Sequence, residues 1–173
     1  MNSQLFLLIG LMINLVIHGD NRVIVQNNSF DDFLDNAGYC YNHVEKAVKS
    51  LHSAQTGSYS YYISDARFHI AEAIKYYNRS ESTGRSLAKD LSLIGCDRSS
   101  SSILQSLSGL KQMKIELKAA EFIYLEADNA SNPYFVQRKH NEASDNILAA
   151  FRNVRSAGSH VTDAVSYLKD CTD

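Results

Sequence analysis

In four successive stretches of this chain, apolar residues recur at alternating steps of three and four, and almost nothing interrupts them. Proline occurs once in 173 residues and glycine eight times. An average spacing of about 3.5 residues keeps one stripe of a helix turned toward a neighbour, so the pattern predicts long helices packed side by side at shallow angles.

The first stretch is Phe30, Phe33, Ala37, Cys40, Val44, Ala47 and Leu51, with Ser29 placed as an N-cap and Asp32 completing a variant capping box. Residues 52–58 read as a stop and turn. The second stretch is Tyr59, Ile63, Ala66, Ile70, Ala73 and Tyr77, continuing in phase through Ser80 and Gly84 to Leu87, Leu91 and Ile94. Its polar patch predicts a break near 79–84, or two helices in sequence, before Gly95 and Cys96 end it. The serines from Ser99 to Ser102 supply the next N-cap. A third seam follows: Ile103, Ser106, Leu110, Met113, Leu117, Ala120, Tyr124 and Ala127. Pro133 suits the first turn of a fourth helix, whose seam is Ile147, Phe151, Val154, Gly158, Val161, Val165 and Leu168. Gly158 would admit a close neighbouring backbone. The expected fold is all-α, an up-down antiparallel four-helix bundle, with five helical segments if the second helix breaks.

The N-terminus predicts export. Residues 5–17 form an apolar run broken only by Asn14, and the chain turns abruptly polar at His18-Gly19-Asp20. Such a block is short for a membrane-spanning helix but suits the core of a signal peptide. Residues 1–19 are therefore expected to be a signal peptide cleaved after Gly19, and 20–173 a single secreted domain without a membrane span. The n-region carries no Lys or Arg, and an uncleaved anchor is the competing reading. A formal net charge of −2 gives no long-range attraction to nucleic acid.

Three cysteines, Cys40, Cys96 and Cys171, are too few for a disulfide-held scaffold and match no zinc spacing. In an up-down bundle the second and fourth helices end at one pole, which predicts a Cys96–Cys171 bridge. Closing a loop of about 75 residues stabilises by about 4 kcal/mol when unstrained. Cys40, in the first seam, reads as a buried thiol. Sequons at Asn27, Asn78 and Asn129 predict glycosylation.

Motifs of catalysis are missing from the sequence. No Glu is followed three residues later by His, and neither a phosphate loop nor a nucleophile elbow occurs. Asp65 and His69 stand one turn apart off the seam and read as a solvated pair. His43 could touch Cys40, but nothing supplies the rest of a catalytic set. Lys111, Lys114 and Lys118 form a stripe, joined on the fourth helix by Arg138, Lys139, Arg152 and Arg155; Glu116, Glu121 and Glu142 intersperse them, as on a solvated face. No catalytic residue, metal ligand or cofactor is expected. Tyrosine is the oddity, with ten in all. Not every ring of Tyr59, Tyr61 and Tyr62 can face inward, and these three are the expected partner contacts, Tyr61 foremost.

The segment from Ala164 to Cys171 resembles the last helix of plant invertase and pectin-methylesterase inhibitors, Ala-rich and ending on Cys. Their paired N-terminal cysteines have no counterpart, because Cys40 stands alone, so the likeness is confined to one helix. The sequence thus points to a secreted, non-enzymatic protein that binds or inhibits an extracellular protein partner. The alternative is a carrier holding a small apolar ligand or lipid within the bundle.

Overall fold

The computed structural model describes residues 24–54 and 59–171. These form four helices: α1 Ile24–Ala54, α2 Tyr59–Leu93, α3 Asp97–Asp128 and α4 Pro133–Asp170. No strand occurs among the described residues. Helix α1 packs most extensively on α2, and α3 on α4, while α2–α3 and α1–α4 meet more narrowly. The result is an up-down four-helix bundle built from two close hairpins. No helix among the described residues is long and apolar enough to cross a membrane. The expected signal peptide lies outside the described residues.

Small residues explain the closeness of the hairpins. In α4 the fully buried line is Ala143, Ile147, Ala150, Val154, Ala157, Val161 and Ala164. The predicted seam was thus one residue out of register at alternate positions. Phe151, Val165 and Leu168 sit at its edge, and Phe151 packs on Tyr41 of α1 with ring centroids 5.8 Å apart. Gly158 is only half-buried. The close approach falls at Gly109 of α3 instead, where a Cβ would lie 3.1 Å from the Ala157 Cβ and 3.2 Å from the Asn153 carbonyl oxygen.

The expected break in α2 is absent. Of the polar patch, Ser80 and Gly84 face inward, and Asn78, Arg79 and Ser82 face solvent, so helix periodicity survives. Gly84 accommodates a neighbour: a Cβ there would lie 2.8 Å from the Phe33 ring and 2.9 Å from Leu107. Helix α1 begins at Ile24, which puts Ser29 inside it rather than at its cap. Nothing between 24 and 29 is proline or glycine, so the helix extends upstream.

Helix α2 ends in a Schellman turn. Gly95 has φ +85°, its N–H donates to the Ser92 carbonyl (3.1 Å), and the Cys96 N–H donates to that of Leu91 (2.9 Å). The chain has then already turned, which leaves Ile94 exposed rather than in the seam. Cys96, not a serine, occupies the N-cap of α3 and makes no side-chain cap bond. The serines bind across helices instead: Ser99 Oγ donates to the Ala164 carbonyl of α4 (2.9 Å) and Ser100 Oγ to that of Ala88 in α2 (2.6 Å). At the other pole Asn132 caps α4, accepting from the N–H of Tyr134 at 2.9 Å, with Pro133 in the first turn as expected. Helix α3 is apolar on two faces. Leu104, Ile115, Phe122 and Leu125 line its outer side, away from the buried seam.

Cys40, Cys96 and Cys171 are free thiols. The two thiols are near enough at the pole where α2 and α4 end for Cys171 to act on Cys96, while the Cys171 thiol itself donates to the Tyr167 carbonyl (3.3 Å). Burial, reinforced by Cys171, pushes the Cys96 thiol up to about 12.

Two outcomes follow from this packing. Gly109→Val should drive α3 from α4 and lower stability by about 1–3 kcal/mol, read from urea denaturation. Oxidation with a disulfide reagent should join Cys96 to Cys171 in peptide mapping and raise the melting temperature. Cys171→Ser should abolish both effects, and Cys40→Ser neither.

Candidate functional site

Beside the α1–α2 seam runs a second line of contacts at the same rhythm. Helix α1 contributes Tyr39, His43, Lys46 and Ser50; antiparallel to it, α2 contributes Tyr76, Glu72, His69 and Asp65. Each set spans about three turns on one face, so the two sets meet along the groove. Tyr39 stacks on Tyr76 with centroids 4.7 Å apart, and Tyr76 stacks on His43 at 5.6 Å. His43 and His69 face each other with their Nδ1 atoms 3.0 Å apart. Phe68 meets His69 edge-on at 5.2 Å and is 58% exposed. The outcome is a continuous strip of rings, Tyr39–Tyr76–His43–His69–Phe68. The Arg79 guanidinium (5.3 Å) and the Lys75 ammonium (5.6 Å) sit over the Tyr76 ring.

Charge in the groove is balanced. Asp65 accepts from Ser50 Oγ at 2.5 Å, and its carboxylate lies 3.8 Å from His69 Nε2. Burial lowers the pKa of His43, and His69, Lys46 and Lys75 lower it further against the opposing pull of Glu72. Burial also lowers that of His69, with Lys46 in the same direction, while Asp65 and Glu72 raise it. Both rings are therefore neutral at neutral pH, and the Asp65–His69 contact is a polar one rather than an ion pair. Only one ring can donate in the Nδ1 contact while the other accepts.

The other candidates scatter. Tyr61 is 65% exposed and sits edge-on to Tyr62, which is half-buried against the core. The Tyr59 side chain and the Asn27 side chain lie outside the described residues. Tyr61 and Phe68 are two turns apart on the outer side of α2, which joins the expected contact residue to the strip. Asn78 is exposed and accepts from Lys114 Nζ at 2.9 Å. Asn129 is exposed and donates to the Leu125 carbonyl at 2.8 Å.

Cys40 and His43 form no dyad. The Cys40 thiol donates to the Ala73 carbonyl at 3.5 Å, and burial pushes its pKa up to about 12, so it stays protonated. The basic residues are engaged separately: Lys114 over the Tyr77 ring at 4.6 Å, Lys118 with Glu121 at 2.7 Å, and Lys139 with Glu126 at 2.8 Å. No group of three or more His, Cys, Asp or Glu is placed to hold a metal ion among the described residues. The reading of Asp65 and His69 as a solvated pair missed His43, because the sequence does not show which α1 residue covers them.

The histidines give a pH dependence of defined sign. Their native values lie below the ordinary histidine value of 6.5, so the folded state binds fewer protons than the unfolded one. Stability should be full above about pH 6.5 and fall as pH drops through the lower native values. His140, lowered by burial in α4, adds to the same slope. Urea midpoints measured across that range should flatten in part in a His43→Gln/His69→Gln variant.

Compared with known protein families, with curated proteins and with solved structures, the chain matches none.

Proposed function

We propose that the protein is exported and acts without catalysis, binding an extracellular protein partner through the aromatic face of the α1–α2 hairpin. The observation that carries this reading is the exposed run of Tyr39, Phe68 and Tyr61 along the α1–α2 groove. Aromatic rings held on helices offer large contact area at little entropic cost, and such residues dominate the energetics of protein interfaces. Export is supported by the apolar N-terminal run of residues 5–17 and by sequons whose Asn78 and Asn129 are exposed. A non-catalytic role is supported by Cys40, which is buried and held protonated. The alanine-lined helix contacts, closed to about one Cβ at Gly109, favour a surface role over a carrier's internal cavity.

The test is expression of the full chain in a eukaryotic secretory host, followed by capture from extracellular fluid with the secreted protein. The chain should appear in the medium beginning at Asp20. Wild type should enrich a protein that a Tyr61→Ser/Phe68→Ser variant enriches roughly tenfold less. Retention inside the cell, equal capture by both proteins, or a co-purifying lipid in native mass spectrometry would overturn the proposal.

A further inference from the structure

We propose that His43 and His69 form a two-point chelate for a divalent transition metal of the copper(II)–zinc(II) class, linking α1 to α2. The inference stands independently of the protein partner proposed above. Its starting point is the 3.0 Å separation of the two Nδ1 atoms. Imidazole binds these metals at about 2.0–2.1 Å, so two nitrogens in adjacent coordination positions stand about 3 Å apart. The histidines are already at chelating distance, from two helices rather than from loops.

Neighbouring rings hold both imidazoles in the groove. Tyr76 stacks on His43 with planes 18° apart, and Phe68 packs edge-on against His69. The terminal torsion of histidine is soft, so modest rotations turn the two lone pairs from each other toward a common point. Behind His69, the Asp65 carboxylate lies 3.8 Å from Nε2 and is itself held by Ser50. At that distance the carboxylate acts through its field rather than a hydrogen bond, favouring the ring N–H on Nε2 and leaving Nδ1 free as a ligand. In the metal-free protein His43 Nδ1–H then donates to His69 Nδ1. When the metal binds, the His43 proton moves from Nδ1 to Nε2, both imidazoles remain neutral, and no electron is transferred.

The chemistry of the donors selects the class of ion. Two neutral nitrogens flanked by Lys46 and Lys75 as well as Asp65 and Glu72 offer nothing to calcium or magnesium, which require clustered oxygen ligands. Imidazole suits copper and zinc, copper(II) binding more tightly. Both rings are half-buried at the surface of the groove, so water completes the coordination.

The test uses the chain in a Cys171→Ser background, which removes the exposed thiol as a competing ligand. Copper(II) should bind at one principal site per chain, with nitrogen hyperfine structure from two imidazoles in electron paramagnetic resonance, and should raise the melting temperature. His43→Gln and His69→Gln should each weaken binding tenfold or more, as should Asp65→Asn by roughly 10–100-fold. His140→Gln should leave it unchanged. Should the histidine variants fail to fold, paramagnetic broadening of wild-type resonances centred on His43 and His69 reads the site directly. No binding, binding indifferent to His43 and His69, or broadening centred elsewhere would overturn the proposal.

Discussion

How closely two helices approach is set by the smallest residues on their facing sides, and in this bundle everything else follows from that distance. Alanine at alternate seam positions of α4, opposite Gly109 of α3, brings backbone almost against backbone. Dispersion is strongest in such contacts, where many atoms meet within van der Waals range. Larger residues are then displaced to the flanks, which is why Phe151 reaches sideways to Tyr41 instead of filling the centre. The α1–α2 hairpin follows the same rule with Ala37, Ala47, Ala66 and Ala73, all buried. Its closeness also brings the flanking line of Tyr39, His43, His69 and Tyr76 into contact.

Much of this was legible in the chain. The first and third seams were read correctly at every position, because the three-four spacing of their apolar residues coincides with the buried face. In α4 the largest apolar residues are not the buried ones: alanine occupies the inner line and Phe151 and Val165 the edge, so hydrophobic size pointed one residue away from the true seam. The polar patch of α2 misled for a related reason. Six polar side chains and a glycine resemble a loop, yet a helix needs only every third or fourth position to be small or apolar, and Ser80 and Gly84 meet that need.

The groove was harder to see. Tyr39, His43, Lys46 and Ser50 do repeat in helical steps, and so do Asp65, His69, Glu72 and Tyr76. Nothing in either set says that they face each other; that depends on the antiparallel register, which a shift of a single turn would change. The nearness of Cys96 and Cys171 is of another kind, since both lie at helix ends and topology alone places those ends at one pole. The serine cluster yielded to a competitor. With Gly95 already turning the chain, its hydroxyls were free to seek the carbonyls of α2 and α4.

Those hydroxyls bear on α3 in particular. Its inward face holds four serines among its apolar residues, and its outward face carries Leu104, Ile115, Phe122 and Leu125. The greasy contrast between its two sides is therefore shallow, and oil-from-water sorting gives this rod only a weak sense of which way to roll. Ser99 and Ser100 act as a keyway. Their bonds, each worth about 1 kcal/mol, form in one rotational setting only, so polar contacts supply the angular address that hydrophobicity leaves ambiguous.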